Sequence, residues 1–115
     1  MAAKLEGSLG RGDRFFYDPD DLIIIGLDTK DGPEHPLYDE RTTLPVDAAT
    51  VASIKLFGVI EDVVVRKNGS DCEVIDGRQR VKAARQANRD LKKEGKELVR
   101  VPLTIRKADD IEAGG

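Results

Sequence analysis

The chain has 115 residues and a mass of 12.6 kDa, the size of one small domain and too short for two. Charged residues reach 36% against a usual quarter, and the formal charge of −3 hides a split. Residues 1–77 carry 8 Lys+Arg against 16 Asp+Glu, whereas residues 78–107 carry 11 against 3. No apolar run approaches the roughly 20 residues of a membrane span, and the start MAAKLEGSLGRGDRFF lacks the apolar stretch of a secretory signal. A single cysteine, Cys72, forms no internal disulfide, and a single histidine, His35, excludes multi-histidine metal sites. The expectation is a soluble cytoplasmic protein with no membrane contact.

Residues 1–14 are rich in Gly, Lys and Arg without periodicity, and a loose basic arm is expected over 1–19. The domain proper is expected over 20–107, with a tail over 108–115. Leu22–Leu27, bounded by acids and glycine, predicts a first strand. A long polar loop, 28–43, follows with two prolines; loops of this length are functional or mobile. Asp47 predicts an N-cap for a helix from Ala48 to about Leu56, burying Ala48, Val51 and Ile54 and ending at Gly58. Val63–Arg66 and Cys72–Ile75 predict a hairpin around Asn68-Gly69, with Val74 and Cys72 facing inward. The best helix runs from Arg78 to about Glu94. Its apolar stripe is Val81, Ala84, Ala87 or Asn88, and Leu91. Its other face carries Arg78, Lys82, Arg85, Arg89 and Lys92 or Lys93. A last strand, Val99 to Ile105, is assigned an edge position because of Pro102.

Asp76-Gly77-Arg78-Gln79-Arg80 joins a strand directly to that helix. Unpaired backbone N–H groups and the positive end of the macrodipole suit an anion there. Glycine permits close approach, two arginines offer planar forks to phosphate oxygens, and Gln79 adds a neutral donor. The competing reading is an ordinary helix start with solvated arginines, capped by Asp76.

The order of pieces resembles the N-terminal domain of ParB-like proteins, in the ParB/sulfiredoxin superfamily, over roughly residues 44–107. The pieces are Ser53-Ile54, Gly58-Val59, Val63-Val64-Val65, the box Gly77-Arg78-Gln79-Arg80, Ala83-Ala84-Arg85, and Val101-Pro102-Leu103. Leu22–Leu27 is similar to that family's first strand. The resemblance implies an α/β (α+β) ParB/sulfiredoxin-like fold, a small mixed sheet with helices packed against it. It also implies a pocket for CTP or ATP, with or without Mg2+. By position, Gly77, Arg78, Gln79 and Arg80 would line the phosphates. The turn Gly58, Val59, Ile60 and Glu61 would help hold the nucleotide, and Asp76 stands where kinase-like relatives place an acid.

The chain departs from the family pattern at several points. Arg78 replaces the usual glutamate, Gln79 the usual first arginine, and Asp62 a common proline. The family's second phosphate motif and its DNA-reading helix-turn-helix have no counterpart here, so a fragment and a reduced stand-alone relative are both open. Sulfiredoxin itself is set aside, because its reactive cysteine at the helix start is here arginine or glutamine. Two main functions follow. One is a nucleotide-binding, DNA-associated module of a partition, plasmid or phage system. It would pair with a second copy and touch DNA phosphates through Lys82, Arg85 and Arg89. The other is a phosphoryl-transfer enzyme or nuclease, with Asp76 and Glu61 as catalytic carboxylates and Asp62 beside them. A third is an interaction module whose pocket has decayed.

Overall fold

A computed structural model of the chain describes residues 15–106. The strands β1 (Phe15–Tyr17), β2 (Leu22–Ile23), β3 (Val63–Asn68), β4 (Asp71–Asp76) and β5 (Val101–Arg106) form one mixed sheet. Their order across it is β1-β5-β3-β4-β2. The β1–β5 and β3–β4 pairs are antiparallel, and β3–β5 and β2–β4 are parallel. Helices α1 (Ala48–Phe57) and α2 (Arg78–Lys93) cover one face. The core there is aliphatic. Val63, Val65, Cys72, Val74, Val101 and Leu103 from the strands meet Val51 and Ile54 of α1 and Val81, Ala84 and Ala87 of α2. This is the α/β fold with a small mixed sheet and helices packed against it that the family resemblance implies.

Asp47 caps α1 as expected, accepting from the Thr50 N–H at 3.1 Å. Ala48 is exposed, so the buried stripe of α1 is Val51 and Ile54 alone. On α2 both alternatives for the third position are buried. Ala87 packs in the core, while Asn88 exchanges two hydrogen bonds with the backbone of Val99 and so anchors the approach to β5.

Four expectations are corrected. The first strand stops at Ile23. The Ile24 N–H is taken by Asp28 Oδ2 at 2.7 Å and the Gly26 N–H by Thr29 Oγ1 at 3.0 Å, so the side chains that follow divert the backbone into a turn. The hairpin turn is Gly69-Ser70, because Asn68 pairs with Asp71 as part of the ladder. Gly69 has φ +65, and among the described residues none other than glycine has positive φ. This is the pattern of a type II′ turn, where only the first central residue needs the left-handed region. β5 lies inside the sheet and not at its edge. Its Pro102 sits opposite Phe16 of β1, a three-residue strand that covers β5. That strand falls at residues 15–17 of the expected arm, and Asp18 and Pro19 lead into a short 3₁₀ turn, so the ordered fold begins before residue 20; residues 1–14 of the arm and the tail lie outside the described residues.

The sheet's other face carries a part-buried ion pair around the buried Glu73. Glu73 accepts from Arg66 Nε at 2.8 Å and from Asn68 Nδ2 at 3.1 Å. Burial pushes the Glu73 carboxyl up, but the hydrogen bonds from Asn68 and Arg66 and the charge of Arg66 outweigh it and hold the pKa below 4.5. A depressed folded value contributes stability that is present above pH 4.5 and lost as pH falls through the folded value. The thermal midpoint is therefore expected to drop on acidification below pH 4.5, and Glu73→Gln to flatten that drop. Paired melts of both proteins across an acid series check it.

Candidate functional site

The site is built by a bend in β4. Val64 pairs with Asp76 and the next residue, Val65, with Val74, so Ile75 is an extra residue in β4. The strand then hands over to α2 at Gly77, which has φ +99 and ψ 23 and is the N-cap, with no side-chain cap bond. Asp76 is thus the end of the strand and not the cap. The amides of the first turn of α2 have no carbonyl one turn earlier to meet, and they lie at the positive end of the helix.

Gly77 is required here for space as well as for φ. A Cβ at this position would stand 2.6 Å from Arg80 Nη1 and 3.2 Å from Val63 Cγ2. Arg80 passes this gap to reach the turn before β3. It donates to the Asp62 carbonyl at 3.1 Å, and its Nη2 lies 3.1 Å from Glu61 Oε1. Asp62 is itself fixed by Thr104 of β5, whose hydroxyl donates to Oδ2 at 2.8 Å. Glu61 therefore meets the box only through Arg80; its side chain is 75% exposed and, like the rest of its turn, does not line the cleft at the start of α2. Gly58, Val59 and Ile60 are not brought to the same cleft. Gly58 ends α1 with φ +78, Val59 packs partly against the core, and Ile60 is exposed.

A cleft of about 260 Å³ opens at the start of α2. One wall is Asp76, Gly77, Arg78, Gln79 and Arg80; the other is Asp39, Arg41 and Thr42 from the polar loop, with Leu44 just after it. The second wall was not among the residues singled out from sequence, although the loop's length had marked it as a functional candidate. It is held in place by α2. Arg78 donates to the carbonyls of Leu37 (2.7 Å) and Ile75 (2.6 Å), and Gln79 Nε2 donates to that of Arg41 (2.8 Å). Lys82 Nζ donates to the carbonyls of Thr42 and Leu44, both at 2.6 Å. Burial pulls the Arg78 guanidinium below its ordinary value, and the charges of Asp39 and Asp76 oppose that shift. It stays charged.

The basic face of α2 is therefore not a uniformly solvated stripe. Arg85 donates to the carbonyls of Pro19 (3.1 Å) and Leu22 (2.8 Å) and grips Asp28 with both terminal nitrogens, at 3.0 and 2.8 Å. Only the far end is open, where Arg89 leans on Gln86 Oε1 and Lys92 and Lys93 are exposed. Of the proposed DNA-contact residues, Lys82 and Arg85 hold the loop and β2, and Arg89 faces solvent.

No protein-family model and no curated protein matches the chain. Among solved structures, it is similar to the crystal structure of the C-terminally truncated chromosome-partitioning protein ParB from Caulobacter crescentus complexed with CTP-γ-S. The TM-score is 0.53 at 21% identity, over 87% of this chain and 47% of that one. The fold is ParB-like. The chain spans about half the length of that ParB chain, and the likeness is one of architecture. Among the described residues, no helix is long and apolar enough to cross a membrane. Among them, too, no three His, Cys, Asp or Glu side chains stand together as a metal site. Asp76 and Asp39 do line the cleft, and one or two carboxylates suffice for a magnesium ion whose other ligands are phosphates and water.

Proposed function

We propose that the chain is a ParB-like nucleotide-binding module that holds the phosphates of CTP or ATP, with Mg2+, at the Asp76–Arg80 junction. The observation that carries this reading is the convergence at one cleft of a left-handed Gly77, the open amides of α2, and the side chains of Arg78, Gln79 and Arg80. The ParB-like fold, in a relative whose structure holds CTP-γ-S, supports the choice of nucleotide. DNA association, as in a partition, plasmid or phage system, rests on Arg89 with Lys92 and Lys93. These exposed cations at the far end of α2 would give salt-dependent binding. Pairing of two copies belongs to the same reading.

The test is thermal shift with CTP, ATP and GTP, each with and without magnesium. One nucleotide at about 100 times its dissociation constant is expected to add about 2.7 kcal/mol of stability. That is a rise of many degrees for a domain of this size. Arg80→Ala is expected to abolish the rise. No shift with any nucleotide at millimolar concentration overturns the proposal.

A second reading, phosphoryl transfer, has Asp76 in its favour. This exposed carboxylate in the cleft wall would ligate magnesium on the phosphates or accept a proton. Glu61, its sequence-level companion, is engaged with Arg80. Release of inorganic phosphate that is lost in Asp76→Asn supports this reading; tight binding with no turnover favours a switch.

A further inference from the structure

The cleft contains its own anion. The Asp39 carboxylate accepts from Arg41 Nε at 3.0 Å and Nη2 at 2.7 Å, and lies 3.8 Å from Arg78 Nη1. Two guanidinium groups that border the cleft therefore share one resident carboxylate. Arg41 is otherwise outside the packed interior, with its side chain 75% exposed. Among the described residues, the buried side-chain polar atoms without a hydrogen-bond partner are Thr42 Oγ1 and Arg78 Nε. Both residues line this cleft, and Thr42 is only 1% exposed. Each atom carries a hydrogen to donate, and a buried donor left unpaired costs about 1–3 kcal/mol. Both atoms are shut off from solvent, so an incoming phosphate oxygen would meet them only once the segment that covers them moves.

We propose that Asp39 is a built-in competitor for phosphate. An incoming phosphate displaces the carboxylate from Arg41 and Arg78, the 39–44 segment shifts, and Arg41 becomes a phosphate ligand contributed by the loop. This rests on the phosphate reading of the junction and adds a threshold to it. The hydrogen bonds from Arg41 hold the Asp39 carboxyl well below the usual carboxylate range, so the competitor stays charged at all working pH values. Of the hydrogen bonds that tie the segment to α2, Gln79 to the Arg41 carbonyl and Lys82 to that of Leu44 are exposed, Lys82 to that of Thr42 is part-buried, and the buried Thr42 side chain is the anchor that a shift must move.

The experiment is isothermal titration of the full chain with tripolyphosphate, and in parallel with CTP and ATP, comparing wild type with Asp39→Asn. Asparagine removes the charge yet keeps the cap on the short 3₁₀ turn Glu40–Thr43, where Asp39 accepts from the Arg41 N–H. Asp39→Asn is expected to bind roughly three- to tenfold more tightly, and a second change, Arg41→Gln, to remove that gain. If Asp39→Asn unfolds, Asp39→Ser, which also caps, carries the same expectation. Equal or weaker binding by the uncharged variant overturns the competitor and leaves the phosphate site standing. A gain that survives Arg41→Gln overturns the role of Arg41. No binding by wild type or variants overturns both the competitor and the phosphate site beneath it.

Discussion

Arg85→Ala is expected to destabilise the protein by about 2–4 kcal/mol, among the largest effects of any change to a charged residue in the chain. The side chain is only 13% exposed, and among the described residues it is the side chain of α2 seen to bond the Pro19 and Leu22 carbonyls and Asp28. Its removal leaves two backbone acceptors and a carboxylate short of a donor at the point where β2 enters the sheet. For a domain of this size the loss corresponds to a fall of roughly 10–25 °C in the melting midpoint. Arg85→Lys is expected to recover less than half, because one ammonium cannot span a carbonyl pair and a carboxylate together. Arg89→Ala, four residues on and exposed, is expected to stay within about 0.5 kcal/mol of wild type. Equal and small effects of Arg85→Ala and Arg89→Ala in urea and thermal melts would mean that the basic face of α2 is solvated throughout.

Gly77→Val is expected to damage stability and ligand binding together. A β-branched residue at φ +99 costs about 1–2 kcal/mol in backbone strain. Its Cβ also meets Val63 Cγ2 at 3.2 Å and the Val63 Cα at 3.4 Å, backbone that cannot yield easily. The total expected is about 2–3 kcal/mol. The Arg80 guanidinium, 2.6 Å from the new Cβ, must leave its place beside Asp62 and Glu61. Nucleotide affinity is then expected to fall at least tenfold. Gly77→Ala is expected to show the strain and a milder loss of affinity. Urea midpoints, with a titration at a temperature where the variant is folded, separate the two effects. A variant that loses stability but binds normally would place the phosphates away from the junction.

Much of the fold was legible because its signals are local. The cap at Asp47, the Gly58 stop, the valine strands and the stripe Val81-Ala84-Leu91 each depend on neighbours within a few residues, and each is where periodicity and capping chemistry put it. What failed depended on partners distant in the chain. Pro102 reads as an edge residue until Phe15–Tyr17, nearly ninety positions earlier, is seen to cover it. Leu22–Leu27 reads as a long strand until Asp28 and Thr29 take its amides.

The site divides in the same way. The junction Asp76–Arg80 was visible as a strand–glycine–helix step rich in donors. The loop wall of Asp39, Arg41 and Thr42 was not, since its place is set by side chains of α2 about forty residues on. A retrospective signal does exist. The helix carries more cations on one face than solvation needs, and a loop of unpaired carbonyls needs donors. The charge split along the sequence is, in part, that loop and its clamp.

The central claim is that the junction of β4 and α2 receives the phosphates of a nucleotide. The most direct measurement is an amide-resolved NMR titration of the chain with CTP and, separately, ATP in magnesium buffer. The expected result is a saturable set of shifts centred on the Gly77, Arg78, Gln79 and Arg80 amides, extending to Arg41 and Thr42 across the cleft. Saturable shifts centred elsewhere, with these amides unmoved, or no saturable shifts with either nucleotide, would contradict it.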